Sequence, residues 1–498
     1  MTQTSARYVA FLLLLACVCL PFAAMAKTFA KTFGRTLDVA ISTAPITFDS
    51  RFATDATSQR MLHLITHGLV KLDDNFQPTS AIADFQQDNF TTFTFKIKDG
   101  VKFHDGTPLT AAYVKDFYKS ILAEDLGSPL KGALKGLKRI EIPAEKTVVF
   151  QLEEPNPFFW SALSIPLVKI HDTMAEEPIG VGRFALLSLD NNGNTLLERV
   201  KPRDDGINHI QFSVVKDPVV RLLKLMRGEV EVIHNDMPEE LVQHAQGKGF
   251  NLHTAPSASY TYIGFNLAPS VKTGDVKLRK AISHAINREE IINYLLGGRA
   301  RTAESLLVEG HPAYWAGEVE AYNPAKARTL LKQAGYDDIE LKMAITTNPF
   351  ILRLSQILKQ QLAEAGIHLD ISSSEWGTFY GNIKKGNFES YILTWVGKFQ
   401  PDIFNALFHS AQVPPHGANR GRYINAEMDE MIDTIMTSTD EASVNDLARR
   451  IQQKQYEDVI YVPLWRRDHV LITSPDVKSC KIDAEGGFEG LLACRNTP

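Results

Sequence analysis

The chain has 498 residues, of which 44% are hydrophobic and 22% are charged, and its formal net charge is −5. This is the composition of an ordinary globular protein, and the length predicts roughly two to four domains. No basic tract stands out, which argues against nucleic acid as a partner.

The N-terminus has the layout of a secretory signal. Arg7 supplies a positive charge, an apolar run follows it, and Ala24 and Ala26 are the small residues of a cleavage site. We therefore expect residues 1–26 to be a signal peptide that is removed on export to the periplasm. Lipoprotein processing at Cys17 is the alternative. No other segment is long and apolar enough to span a membrane, so we expect a soluble mature protein.

Export also bears on the cysteines. Of the four cysteines, Cys17 and Cys19 lie in the signal peptide, and only Cys480 and Cys494 remain. Two cysteines in an exported protein usually pair, so we expect a disulfide between these two residues.

The first part of the mature chain is β-rich. Residues 90–110 alternate apolar and polar positions and carry two Asp-Gly turn dipeptides, which is typical of strands. Thr110 can cap the helix that follows it, and residues 139–155 predict another hairpin. Residues 180–185, Gly-Val-Gly-Arg-Phe-Ala, match a dinucleotide motif. A hairpin and not a helix is predicted after them, so they predict no phosphate site.

The second half of the chain alternates strands with helices. Asn323, Pro324 and Gly335 are the cap, first-turn and stop residues of one predicted helix. Residues 339–372 predict a strand, a helix and a second, parallel strand. The predicted fold class is therefore α/β, with a β-rich part near the N-terminus.

No catalytic constellation in the sequence is complete. Two Ser-x-x-Lys pairs occur without the Ser-Asp-Asn element of penicillin-recognising enzymes. His63 and His67 have a metal-ligand spacing, but no glutamate follows His63. An exported chain without a nucleophile, base or metal cluster predicts a binding protein without cofactors and not an enzyme. An exported hydrolase is the alternative from another class.

Several segments occur in an order that is typical of one family. In chain order they read GVKFHDGTPLTAAYVKDFYKSI, EPIGVGRFAL, MRGEVEVI, YIGFNLA, VKLRKAISHAINREEII, NPAKARTLLKQAGY and YVPLW. Together they resemble the extracellular solute-binding proteins of family 5, the peptide and nickel type. The sequence departs from the family pattern at Phe184, where tyrosine is usual, and at Glu231, where aspartate is usual.

The resemblance implies a three-domain periplasmic binding protein of type II, with two lobes that close on a hinge and an extra β-rich domain. Domain I would comprise residues 27–67, 180–268 and 472–498, domain II residues 68–179, and domain III residues 269–471. A peptide or other small solute would bind between domains I and III of a monomer. An inner-membrane ABC permease would then receive it.

The resemblance also implies a ligand site at the end of the strand that contains Trp395. The residues expected there are Tyr260, Trp395, Val396, Gly397, Lys398, His416, Asn419, Arg420 and Arg422. Val396 and Gly397 would offer backbone groups to an extended ligand.

Lys398 departs from the pattern of the peptide-binding members. There an acidic residue at this position pairs with the ligand's α-ammonium, so Lys398 reverses the sign of the site. Arg420 and Arg422 would add donors for carboxylates. We expect a peptide-like ligand held by carboxylate and backbone, with no free amine at this end. A nickel, metal-chelate or haem binder is the alternative, with His416 as its candidate metal ligand.

Overall fold

The computed structural model describes residues 35–73, 77–169, 178–204, 206–397 and 399–496. The expected signal peptide, Cys17 and Lys398 lie outside the described residues. The strands are β1 (Arg35–Ile41), β2 (Val70–Leu72), β3 (Pro78–Ser80), β4 (Ala83–Asp88), β5 (Thr92–Ile97), β6 (Leu137–Ala144), β7 (Thr147–Leu152), β8 (Phe184–Leu189), β9 (Thr195–Arg199), β10 (Ile207–Val214), β11 (Val232–His234), β12 (Asn251–Ala255), β13 (Tyr260–Phe265), β14 (Ala300–Arg301), β15 (Ile339–Thr346), β16 (Ile367–Ser374), β17 (Ser390–Trp395), β18 (Tyr461–Arg467), β19 (His469–Thr473), β20 (Val477–Lys478) and β21 (Arg495–Asn496). The α-helices are α1 (Ala56–Ile65), α2 (Ala111–Leu122), α3 (Trp160–Leu163), α4 (Pro218–Met226), α5 (Glu239–Gly247), α6 (Val276–His284), α7 (Arg288–Leu295), α8 (Pro324–Gln333), α9 (Pro349–Glu364), α10 (Trp376–Lys385), α11 (Ile403–Phe408), α12 (Ala426–Thr437) and α13 (Glu441–Glu457).

Two large mixed sheets and one smaller sheet carry the fold. The first has seven strands in the order β12-β19-β11-β1-β10-β9-β8, and the second has six in the order β14-β18-β13-β17-β15-β16. A four-stranded antiparallel sheet has the order β4-β5-β7-β6. We call the first sheet with α1, α4 and α5 lobe A, the second sheet with α6 to α13 lobe B, and the four-stranded sheet with α2 and α3 the β unit.

Both large sheets are covered on two faces. One face of the first sheet shares a core with the β unit, where Val39 lies in the same cluster as Phe93, and its other face packs against α4 through Leu222. The two faces of the second sheet have separate cores. This double burial explains why every residue of β13 is buried and the strand reads as one apolar run.

The chain crosses between the two lobes at two neighbouring places. It passes from β12, which ends at Ala255, to β13, which begins at Tyr260, and it returns from β18 to β19 through Asp468. Two of the expected domain boundaries lie near these crossings. The expected boundary at residue 268 falls after β13, although β13 pairs with β17 and β18 of lobe B. The expected boundary at residue 471 falls inside β19, which pairs with β11 and β12 of lobe A.

Local predictions from turn and cap residues are confirmed. The Thr110 side chain accepts a hydrogen bond from the Tyr113 N–H at 3.2 Å at the start of α2. Asn323 caps α8 in the same way, and Gly335 lies beyond its end with a left-handed φ of +92°. The motif at 180–185 leads into the β8–β9 hairpin, and β15, α9 and β16 form the expected parallel unit. The α1 helix ends at Ile65, so His67 lies beyond it.

The C-terminal segment is attached to lobe A. A disulfide joins Cys480 and Cys494, whose Cα atoms are 4.1 Å apart, and both residues are buried in the core shared by lobe A and the β unit. Throughout the described ranges, we find no helix with the length and apolar character that a membrane crossing needs.

Candidate functional site

A cavity of about 950 Å³ lies between lobe A and lobe B. Its lining includes residues at the ends of β1 and β11 and the start of α1 in lobe A, and at the starts of α9 and α10 and the end of β17 in lobe B. Both crossings of the chain also contribute residues. A concave space of this volume is typical of a small-molecule or peptide site.

Lobe A presents polar side chains to the cavity. The Ser42 hydroxyl donates a hydrogen bond to the Asp236 carboxylate at 2.5 Å. Asp55 caps α1 through one oxygen, while its Oδ2 is buried and has no hydrogen-bond partner in the described part of the chain. Arg60 donates from Nη2 to the carbonyl of Glu485 at 3.0 Å. This wall therefore offers carboxylate oxygens with spare hydrogen-bonding capacity.

Two histidines of this wall are in neutral form. Burial, followed by the nearby Arg60 charge, lowers the pKa of His234 to about 3. The same two causes lower the pKa of His469 to about 4. Both line the cavity, so at neutral pH they act as hydrogen-bonding groups and not as cations.

Lobe B presents an exposed aromatic side chain. Trp376 is 56% exposed and stacks on Tyr380 with 5.2 Å between ring centroids and 9° between ring planes. Beside it, the Thr347 hydroxyl donates to Glu375 at 3.2 Å. Val396 is 61% exposed in the same lining. This wall combines apolar surface with one carboxylate.

The crossing after β18 links the two walls. Arg467 donates to the carbonyl of Met237 in lobe A at 3.0 Å, and its guanidinium lies 5.5 Å from the ring centroid of Phe350 in lobe B. Asp468 forms an ion pair with Arg301 at 3.5 Å. Groups at the crossing thus contact both lobes.

Of the expected site residues that the structure describes, only Val396 is among those that line this cavity. Trp395 is the last residue of β17, and Val396 follows it outside the strand. Trp395 packs in a buried layer in which the Arg420 guanidinium lies 4.1 Å from its ring centroid and donates to the Tyr380 hydroxyl at 3.1 Å. Tyr260 is fully buried in the same layer.

The loop expected to bind the ligand is tied to its own backbone. The Asn419 amide donates to the carbonyls of His409 and Tyr423 and accepts from the Tyr423 N–H at 3.0 Å. Arg422 has a left-handed φ of 56° and donates to the carbonyl of Lys384 at 3.1 Å.

Several expected residues therefore sit away from the cavity. His416 is exposed, and neither it nor the Arg420 and Arg422 guanidiniums are among the cavity-lining residues. Gly397 has a left-handed φ of +109° and also lies outside the lining. Lys398, which follows it, is outside the described residues.

Sequence reasoning missed the lobe A wall. Asp236, Ser42 and Asp55 each come just after a strand or just before a helix. Polar residues at the ends of neighbouring parallel strands converge at one sheet edge, and β1 and β11 are such a parallel pair. That signal could have placed Ser42 and Asp236 together. In the ranges that the structure covers, no group of three or more His, Cys, Asp or Glu side chains is placed to hold a metal ion.

The chain is similar to transporter-associated binding proteins in sequence. It is 27% identical over 399 residues to a putative ABC transporter peptide-binding protein of Brucella ovis, covering 74% of this chain and 73% of the relative. It is 25% identical to the oligopeptide-binding protein AppA of Bacillus subtilis, covering 84% of each chain. It is also 25% identical to the glutathione-binding protein GsiB of Escherichia coli, covering 90% of this chain and 92% of the relative.

Solved structures share the fold. NikA of Brucella suis, in complex with Fe(III)-EDTA, has a TM-score of 0.84 at 20% identity and covers 93% of this chain and 100% of its own. The substrate-binding protein CtaP of Listeria monocytogenes has a TM-score of 0.83 at 23% identity, with the same coverage. The expected fold class, that of the three-domain periplasmic binding proteins, is confirmed.

The sequence model of one protein family, the bacterial extracellular solute-binding proteins, family 5 middle, matches residues 75–413 of this chain. This match spans more than half of the chain and includes most of lobe B, all of the β unit and part of lobe A. The expected family is confirmed: the chain belongs to the bacterial extracellular solute-binding proteins of family 5.

Proposed function

We propose that the protein captures a peptide or peptide-like solute in the cavity between lobes A and B and delivers it to an inner-membrane ABC permease. The observation that carries this proposal is the cavity of about 950 Å³ between two lobes, which the described part of the chain joins at two neighbouring crossings. Such lobes can close over a ligand by bending at the crossings. The names of the sequence relatives supply the solute class, because three of them are peptide- or glutathione-binding proteins.

The test is to purify the protein from its native compartment and to identify the solute that is bound to it. The protein is purified without denaturation, the bound fraction is extracted, and its mass is measured. We expect peptides or modified peptides, and the same protein after unfolding, washing and refolding is the control. Extracts that repeatedly contain one non-peptide solute, together with no thermal shift by any peptide, would contradict the peptide assignment.

We propose that the mature protein begins at Lys27 and works in the periplasm. The support is the apolar N-terminal run followed by Ala24 and Ala26. Intact mass of the exported protein checks this directly. A diacylglyceryl mass on Cys17 would show instead that the protein is anchored as a lipoprotein.

We propose that the protein binds its solute as a monomer and without chemical conversion. Binding needs only a closed state that the ligand stabilises, and no reacting group. Light scattering should give the mass of one chain, and the recovered solute should be identical before and after incubation. A dimer mass or a changed solute would contradict this proposal.

A further inference from the structure

The interlobe cavity carries more acidic than basic side chains. Its lining contains four carboxylates and two guanidiniums, namely Asp55, Asp236, Glu375 and Asp468 against Arg60 and Arg467. Asp468 is paired with Arg301. The other three carboxylates form no ion pair within 4.0 Å in the described ranges. These three carboxylates are therefore not bound directly to a cation and are open to a donor group of a ligand.

Asp236 is held in a fixed position by unusual backbone geometry. Asn235 and Asp236 both have left-handed φ values, 55° and 54°, a conformation that is uncommon for residues other than glycine and that concentrates at functional sites. Asn235 fixes the turn by exchanging hydrogen bonds with Val470 at 2.8 and 2.9 Å. The buried Arg221 donates to the carbonyl of Asp236. The Asp236 side chain is thereby directed to the cavity, where Ser42 occupies one of its acceptor sites.

A buried histidine in the same wall has an unused acceptor. His234 is 3% exposed and lines the cavity. Its Nε2 has no hydrogen-bond partner in the described part of the chain. A neutral imidazole has one donor and one acceptor nitrogen. Nε2 can therefore accept a hydrogen bond from a ligand when Nδ1 carries the proton.

The guanidiniums near this wall keep their charge, but their N–H groups are bound to other partners. Arg60 lies near enough to Asp236 to interact electrostatically, but its Nη2 is bound to the Glu485 carbonyl. Arg467 is held between Met237 and Phe350. These two cations and the buried Arg221 offset part of the Asp236 charge, and they leave the Oδ2 of Asp55 and the Nε2 of His234 without hydrogen-bond partners in the described part of the chain.

We propose that the lobe A wall binds a cationic nitrogen group of the solute, a primary ammonium or a guanidinium, with Asp236 as its principal counter-charge. Asp55 and His234 supply further acceptors for its N–H groups. This inference rests on the proposed function, because it assigns an orientation to the solute in the same cavity. The cationic end lies on lobe A, away from the strand end that carries Val396.

The experiment is a calorimetric double-mutant cycle on the full mature protein. The probes are trialanine and N-acetyl-trialanine, titrated into the wild type, into Asp236→Asn and into Asp446→Asn. Asp446 is an exposed carboxylate of α13 that does not line the cavity, so its variant is the matched control. We expect acetylation, and separately Asp236→Asn, to weaken binding of the free peptide roughly tenfold. We expect Asp236→Asn to leave the acetylated peptide unaffected.

Two results would overturn the inference. One is equal affinity of the wild type for the free and acetylated peptides. The other is an equal loss of affinity for both peptides in Asp236→Asn, which would mark a structural role for this residue.

Putrescine and agmatine, cationic solutes without a peptide bond, are the probes of a second experiment. If no peptide binds but these amines bind in an Asp236-dependent way, the peptide assignment fails and the inference stands. If no cationic probe of either kind binds the wild type, the inference fails.

Discussion

The guanidinium of Arg353, on helix α9 of lobe B, forms an ion pair with the carboxylate of Glu240, on helix α5 of lobe A. A second pair, Arg299 with Glu239, joins the same two lobes next to it, and Glu239 is buried. Two consecutive acidic residues at the start of one helix thus contact two basic residues of the opposite lobe. These contacts stabilise the relative position of the lobes around the cavity.

Arg353→Gln should weaken ligand binding modestly. The pair is about half exposed, with side-chain exposures of 48% and 60%, so its contribution is limited to at most about 1 kcal/mol, or roughly fivefold in affinity. Because salt screens exposed charges, the difference from the wild type should vanish at high ionic strength. Calorimetry at low and high salt measures both effects. Lys131→Gln, which removes an exposed pair with Glu124 in the β unit, is the control, and unchanged affinity of Arg353→Gln at low salt would contradict the prediction.

Removal of the disulfide should destabilise the protein. Cys480 and Cys494 are separated by 14 positions, and closing a loop of that length is worth about 3 kcal/mol in the chain-entropy model. The double variant Cys480→Ser/Cys494→Ser should therefore have a lower urea midpoint. Reduced wild type should behave like the variant. A thiol assay of the denatured, unreduced mature protein should detect no free thiol, and detection of two thiols would contradict the bridge.

Stability should fall as the pH drops below about 6.5, because His234 and His469 are buried in neutral form. Burial lowers the folded-state pKa of His234 to about 3 and that of His469 to about 4, from the ordinary value of 6.5. The unfolded chain therefore binds protons more readily than the folded one in this range. The stability present above the unfolded pKa is lost as the pH falls towards the folded values, by about 2 kcal/mol for each histidine at pH 5.

Urea midpoints between about pH 7 and pH 5 measure this slope. His234→Gln should reduce the slope by about half, since one of the two histidines is removed. His416→Gln is the control, because this histidine lies in an exposed loop. The prediction is wrong if His234→Gln keeps the full slope of the wild type.

Much of the fold could be predicted because its signals are local. Thr110, Asn323 and Gly335 mark helix ends through their own backbone and side-chain chemistry, and the structure has them in those roles. The boundaries between the lobes could not be predicted from local signals of this kind. Nothing within the apolar run of β13 tells which of two sheets it joins, because pairing with β17 and β18 is decided by residues far along the chain.

The site shows the same division between local and distant information. The strand that ends at Trp395 could be located from its sequence, but the residues that face the cavity could not. Trp395 packs away from the cavity, and Val396, just beyond the strand, lines it. The position of Asp236 after a strand is a local signal, but the direction of its side chain depends on contacts with Arg221 and Ser42, which are distant in sequence.

Lys398 should determine which end of a peptide lies at the strand end after Trp395. The residue is outside the described ranges, so its position is taken from the sequence, one residue after Gly397. Two like charges 4 Å apart cost about 4 kcal/mol at an effective dielectric of about 20, which corresponds to roughly a thousandfold in affinity. A lysine at this position therefore disfavours an ammonium and favours a carboxylate.

We expect amidation of a peptide's C-terminus to weaken binding to the wild type, and Lys398→Asp to remove or reverse that preference. Calorimetry with trialanine and trialanine amide measures both effects, and Lys385→Gln, at the C-terminal end of α10 and outside the cavity lining, is the control. Equal binding of the two peptides by the wild type, together with no change in Lys398→Asp, would show that the lysine side chain points away from the ligand.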